Sequence, residues 1–185
     1  MSLNQLKGNN KYNIKEMEAI VAVNKKNVIG RENKLIWNIP EDLKHFRRKT
    51  ENEIIIMGRK TYESLPRGGL KNRINIVLTG NPERYKEEEH NNLYFTKLEN
   101  LEEKMEKYKE KKRIVIGGSE IYELFIERYE KVYLTKVYNE EEGDAYNPIR
   151  EERLLERGFK IKEREPIEKS KKTGERYEYI TYEKI

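Results

Sequence analysis

Short apolar runs separated by charged stretches set the rhythm of this chain. The segments 19–23, 54–57, 74–78 and 114–116 are each almost wholly Ile, Val, Leu, Ala or Met. They are long enough for a buried strand and too short for a helix. Strands are therefore predicted at 18–24, 54–57, 74–79, 93–96 and 113–116. Between them the period changes. Pro40 followed by Glu41 and Asp42 opens a helix that runs to about Thr50, with Leu43 and Phe46 on one face. Helices are also predicted at 59–65, at 98–109, where Leu98, Leu101, Met105 and Tyr108 form a stripe, and from Ser119 onward.

Residues 24–39 carry no helical period and contain Gly30, so they read as a long loop. Loops beyond ~12 residues in a compact domain are usually functional. Past residue 130 the texture changes again. Segments 131–138, 159–164 and 177–182 read as strands, with a Thr173-Gly174 turn between the last two. Strands alternating with helices and then a strand-rich end imply an α/β fold. Its sheet is mainly parallel with an antiparallel C-terminal edge. The body is expected over 17–185 as one domain, with 1–16 as a flexible polar leader.

Charged residues make up 39% of the chain and the net charge is +5. Glu is mixed with Lys and Arg through 99–112 and 150–157, so the excess is spread over solvated helix faces. No one-sign stripe for nucleic acid is present. Cysteine is absent, which excludes disulfides, thiolate metal sites and a cysteine nucleophile. The two histidines, His45 and His90, are far apart, so no metal is expected. No apolar run approaches the ~18 residues of a membrane span. A cytoplasmic, monomeric protein without nucleic-acid or membrane partners is expected.

Three places have the composition for chemistry. In Ile114 to Tyr122 a buried strand ends in Gly117-Gly118 and a helix starts at Ser119. This is either a phosphate cradle or an ordinary tight turn. Met57-Gly58-Arg59-Lys60-Thr61 repeats the logic, and is either a phosphate grip or a solvated basic turn. Two such turns on neighbouring parallel strands favour an extended dianionic ligand. Leu35 to Leu43 holds the lone tryptophan, Trp37, and the acid Asp42. Spacing favours a helix-dipole role for Asp42. The other reading is a carboxylate in an apolar cleft, gripping an amidine-like edge.

Together these segments resemble the dihydrofolate reductase family from Glu18 to the C-terminus. The matching pieces, in order, are Ala-Val-Asn-Lys-Lys-Asn-Val-Ile-Gly30, Trp37-Asn-Ile-Pro-Glu-Asp-Leu43, Phe46, Thr50, Ile56-Met-Gly-Arg-Lys-Thr-Tyr-Glu-Ser64, Arg73 to Thr79, Ile116-Gly-Gly-Ser-Glu-Ile-Tyr122, Tyr133-Leu-Thr135 and Glu142-Gly-Asp144. The resemblance implies a sheet of about eight strands flanked by about four helices. It also implies NADPH as cofactor, and dihydrofolate and antifolates as ligands. Hydride would pass to pterin C6 and a proton to N5.

By the same resemblance, Asp42 is the acid that pairs with the pterin edge, Thr135 holds its carboxylate, and Trp37 orders a water beside it. Val21, Ala22, Leu43, Phe46, Leu65, Leu70, Ile116 and Tyr122 line the substrate cleft, and Arg73 takes the glutamate tail. Gly58, Arg59, Lys60, Thr61, Leu78, Thr79 and Gly80 form one cofactor turn. Ile116, Gly117, Gly118, Ser119, Glu120, Ile121 and Tyr122 form the other, with a cis peptide between the glycines. Ala22, Ile29, Gly30, Asn33 and Leu35 lie over the nicotinamide, and Asp144 supports that loop. This sequence departs from the family pattern at Ile36, His45, Gly80, Glu120 and 66–72; His45 is expected to be exposed. The alternatives are a reductase of the same fold acting on a diaminopyrimidine, or a non-catalytic basic binding protein.

Overall fold

The computed structural model describes residues 12–185. A twisted sheet forms the body, with strand order β10-β11-β7-β1-β6-β3-β4-β5 and β9 beside β11. β1 (Met17–Asn24), β3 (Ile54–Gly58), β4 (Ile74–Leu78), β5 (Leu93–Thr96), β6 (Arg113–Gly117) and β7 (Tyr129–Val137) are parallel neighbours. β11 (Arg176–Lys184) returns antiparallel to β7. β9 (Phe159–Arg164) and β10 (Glu168–Lys169) both pair with β11, along different stretches, and share one edge position. The sheet thus has eight positions, mainly parallel, with an antiparallel C-terminal edge, as the pattern predicts.

The central strands are continuous apolar runs because helices cover both faces. Ile54, Ile55, Ile56, Ile76, Val77, Ile114 and Val115 are completely buried. Asn75 interrupts one such run. Its amide is buried, accepting from Leu70 N at 2.9 Å and donating to the carbonyls of Leu70 (2.9 Å) and Asn92 (3.1 Å). A polar side chain in a core strand is tolerated only when satisfied in this way, and here it pins the turn that carries Leu70.

Two minor elements lie inside the predicted loop and beyond it. β2 (Val28–Gly30) and β8 (Ala145–Tyr146) form a two-stranded ribbon. Asparagines hold it: Asn24 Oδ1 accepts from Lys26 and Val28, and Asn27 Nδ2 donates to Asn147 O. The predicted helix 98–109 is instead a broken rod, with 3-10 turns on either side of α3 (Leu101–Met105). Its buried stripe of Leu98, Leu101 and Met105 is as expected. The other helices are α1 (Pro40–Thr50), α2 (Arg59–Ser64), α4 (Ser119–Leu124) and α5 (Glu151–Glu156).

The N-terminal boundary needs correction. Of the leader expected over 1–16, residues 1–11 lie outside the described residues. Ile14, however, is buried in the main core with Tyr12 packed against it. Apolar contact therefore ties the chain down before β1 starts. No helix among the described residues is long and apolar enough to cross a membrane.

Candidate active site

The parallel strands bring their carboxyl ends to one side of the sheet, and both glycine turns lie there. Met57 pairs with Gly117, and Gly58 with Leu78. The ends of β3, β4 and β6 are therefore level. The Gly117–Gly118 peptide is cis, as the resemblance implies. A Cβ on Gly58 would touch Ile121 at 3.0 Å, and one on Gly118 would face Thr61 Oγ1 at 3.6 Å. The turns thus abut, tightly at Gly58 and at ordinary contact distance at Gly118. Gly118 carbonyl accepts the first bonds of α4, from Ile121 N (3.0 Å) and Tyr122 N (2.9 Å). The amides of Ser119 and Glu120 precede those bonds, so they point outward as donors. This cradle of small residues and outward amides fits a dinucleotide diphosphate.

The supporting residues are less uniform. Tyr122 is buried beneath Gly117, and its hydroxyl donates to Ile20 O at 2.6 Å. It therefore props up the turn instead of facing the cleft. Arg59 Nη1 donates to both oxygens of Glu63, at 3.0 and 2.9 Å, while Lys60 is exposed. Thr79 is half-buried, Gly80 and Glu120 are exposed, and Leu78 is buried. Ser119 Oγ donates to Tyr146 O at 2.7 Å and so ties this turn to β8.

The second half of the site is a row across three strands. Ala22 on β1 is opposite Thr135 on β7, and Thr135 is opposite Tyr179 on β11. Helix α1 crosses this row and lowers Asp42 onto it. Thr135 Oγ1 donates to Asp42 Oδ1 at 2.8 Å. Burial pushes the Asp42 carboxyl up to about 6, and the Thr135 hydrogen bond offsets only part of that rise. The helix-dipole reading that spacing favoured for Asp42 is therefore incomplete. Half-buried against Thr135, the carboxylate is held in a low-dielectric cleft.

Around it, Trp37 is buried with Ile39, Val137 and Tyr177, and half-buried Ala22 packs against this group. Trp37 Nε1 has no hydrogen-bond acceptor among the described residues. Val21 lies in the main core. Phe46 and Ile116 pack on Ile20, Ile114 and Tyr133, while Leu65 and Leu70 pack on the Met57 cluster. Leu43 is 56% exposed and Leu35 54% exposed. Leu43 follows Asp42 directly on α1 and presents a largely exposed apolar surface.

Arg73 is 9% exposed, donates from Nε to Thr50 Oγ1 (3.2 Å) and from Nη1 to Lys71 O (2.7 Å), and forms no ion pair among the described residues. Burial, with Arg47 nearby, pulls it below the usual arginine value. A cation so held is suited to an anion arriving from outside.

Near the cleft, loop 24–39 is fastened by Asn33 and by Asp144. Asn33 Nδ2 donates to Lys60 O at 2.6 Å. Asp144 donates its N–H to Gly30 O (3.1 Å), and its Oδ2 accepts from Glu32 N (3.0 Å). Asp144 therefore reaches the site only through this loop, whereas half-buried Ile29 packs against the core.

One expectation is wrong. His45 is not exposed; it is 6% exposed and stacked on Tyr179. Apolar spacing picked Leu43 and Phe46 as the inward face, but α1 turns Asp42, His45 and Thr50 toward the protein as well. Glu63 and Asn75, which hold Arg59 and the Leu70 turn, were not singled out from sequence. For Asn75 a signal existed, as the single amide in the apolar run Ile74 to Leu78.

Comparison with known proteins gives a consistent result. A family model described as dihydrofolate reductase matches residues 16–184. The chain is 34% identical to the dihydrofolate reductase of Bacillus subtilis over 89% of its own length and 92% of that protein. It is 39% identical to the enzyme of Buchnera aphidicola from Acyrthosiphon pisum, over 70% of this chain and 76% of that one. Among solved structures, it is similar to dihydrofolate reductase from Enterococcus faecalis complexed with NADP(H) and RAB-propyl. The TM-score is 0.73 and the identity 29%, with 91% of this chain and 95% of that chain covered.

Proposed function

The chain belongs to the dihydrofolate reductase family, and from that premise we propose how its own residues carry the reaction. It reduces 7,8-dihydrofolate to tetrahydrofolate with NADPH. The cofactor supplies the hydride for pterin C6, so the protein needs alignment, dryness and control of the proton bound for N5. The observation that carries the assignment of roles is the Asp42 carboxylate, half-buried and held by Thr135 in the cleft beside two abutting glycine turns.

In this reading Asp42 accepts two hydrogen bonds from the amino and N3 edge of the pterin. Thr135 fixes the direction of the carboxylate. Phe46, Ile116, Leu65, Leu70 and Leu43 wall the ring and exclude bulk water. Asp42 then acts through charge and hydrogen bonds, with water as the immediate donor to N5. The proton belongs to the Asp42 and pterin unit as a whole, and its apparent pKa is that of the pair. The outward amides at Ser119 and Glu120 and the Gly58 turn hold the diphosphate. Arg59, Lys60 and Thr79 are left to grip a 2′-phosphate. Because Glu63 already engages Arg59, the preference for NADPH over NADH is expected to be moderate.

The direct test is the fall in NADPH absorbance on adding dihydrofolate, repeated with NADH. Stoichiometric oxidation of NADPH, with a higher KM for NADH, is expected. No oxidation with either cofactor contradicts the reading. Arg73→Leu probes the substrate tail. A charge-assisted bond is worth about 1.5–3 kcal/mol, so KM for dihydrofolate should rise about tenfold or more. KM for dihydropteroate, which lacks the glutamate, should stay unchanged. An equal rise for both substrates would mean that Arg73 supports the fold and not the tail.

A further inference from the structure

Helix α1 carries a buried titratable ring that the reaction does not consume. His45 lies one turn beyond Asp42 and stacks on Tyr179, with centroids 3.8 Å apart and planes 12° apart. Tyr179 is opposite Thr135 in the β11–β7 ladder, and Thr135 holds Asp42. The contacts form a closed circuit from helix to β11, across to β7, and back to the helix at the acid. At its start the helix has another fastening, since Glu41 accepts from Ser170 Oγ (3.0 Å) and Lys171 N (2.9 Å). That bond fixes the end of the helix, whereas the stack is off-axis and resists rotation.

We propose that His45 is a positioning residue: its stack on Tyr179 sets the roll of α1 and thereby the direction in which Asp42 points into the cleft. This rests on the reading of Asp42 as the pterin-binding acid. The lever is short. Carboxylate oxygens stand about 5 Å from the helix axis, so a roll of about 20° would move them by nearly 2 Å, more than the tolerance of a hydrogen-bonded pair.

The ring performs this role uncharged. On its own helix His45 is near Asp42, Arg48 and Lys49; from β11 it meets Tyr179, with Tyr177 beside it; Glu165 bonds the Tyr179 backbone, and Thr135 stands on β7. Burial, with Lys49 and Arg48, pushes the imidazole down to about 4. A neutral flat ring on Tyr179 holds the helix without adding a positive charge that would keep the acid ionised.

The experiment is single-turnover hydride transfer against pH for the wild type, His45→Ala, His45→Phe and Tyr179→Leu. His45→Ala and Tyr179→Leu should slow transfer at pH 7 by about tenfold. They should also lower the midpoint of the pH profile relative to the wild type, as a looser helix lets water reach Asp42. NADPH affinity should be unchanged. His45→Phe keeps a flat uncharged ring and should recover the rate to within about twofold, together with the midpoint. An unchanged rate and midpoint in Tyr179→Leu and, if it folds, His45→Ala, with only a lower Tm, would overturn the proposal. So would failure of a folded His45→Phe to recover them. Asp42→Asn is measured alongside. If it leaves rate and profile untouched, the reading of Asp42 has failed; if it behaves as that reading requires while the His45 variants do nothing, only this inference has failed.

Discussion

Asp42→Asn should lose about a hundredfold or more in turnover at pH 8, and less at pH 5. The side chain keeps its size and one acceptor for Thr135, but loses the charge that pairs with the pterin edge. Removing a positioned acid–base group typically costs 10²–10⁴-fold, and the loss grows where solution protons are scarce. Stability should move the other way. Burial raises this carboxyl in the folded state to about 6 from an unfolded value of 3.8. The folded state therefore binds more protons between those values, and stability falls as pH rises through that window. Above about pH 6 the penalty is fully present. Discounted for the part of the group that water reaches, it amounts to about 1–2 kcal/mol. Urea unfolding at pH 7 should show the inactive variant more stable by about that amount. Wild-type turnover at pH 8 would mean that the carboxylate is not catalytic, and a destabilised variant would mean that it is not desolvated.

The second large effect is expected at the paired glycines, which are not equivalent. Gly117 has φ +117, and a Cβ there would meet the Tyr122 ring at 3.1 and 3.3 Å. Tyr122 cannot yield, because it is buried and its hydroxyl is bound to Ile20 O. Gly117→Ala should therefore cost about 2–3 kcal/mol of stability through backbone strain and overpacking. It should also weaken NADPH binding by at least tenfold. Gly118 has an extended backbone, with only Thr61 Oγ1 near its missing Cβ. Gly118→Ala should keep its Tm yet weaken NADPH binding comparably, since the methyl stands in the space between the two turns. Fluorescence titration with NADPH beside thermal unfolding separates the cases. Full affinity in folded Gly118→Ala would remove the diphosphate from this cradle.

How much of this was legible in the sequence follows from which forces are local. The strands at 54–58, 74–78 and 113–117 are visible because burial on both faces leaves no choice but a continuous apolar run. The two glycine turns are visible because glycine at a strand end followed by a helix start is a local signature. The cleft acid was ambiguous, since a first-turn Asp has a sufficient local explanation in the helix dipole. What distinguishes it is Thr135, on a strand far along the chain. His45 was misplaced for the same reason. Its neighbours Lys44, Arg47, Arg48 and Lys49 make the segment read as solvated, and the ring it stacks on, Tyr179, comes from the last strand. Conversely, Leu43 looked inward by period and is exposed, since α1 turns Asp42, His45 and Thr50 toward the protein instead. The ribbon of Val28–Gly30 and Ala145–Tyr146 had no pattern at all. Two- and three-residue strands cannot show periodicity, and asparagine side chains hold this pair. The helix expected at 98–109 was right in its stripe and wrong in its continuity, since a buried stripe alone does not choose between α and 3-10 turns.

The central claim is spatial: one carboxylate binds the pterin edge while the paired glycine turns hold the dinucleotide next to it. The structure of this chain with NADPH and a bound folate tests it most directly. Both Asp42 oxygens should lie within hydrogen-bond distance of the pterin amino group and N3, with the diphosphate against the amides of Ser119 and Glu120. A pterin ring bound away from Asp42, or a diphosphate away from the Gly117–Gly118 turn, would contradict the account.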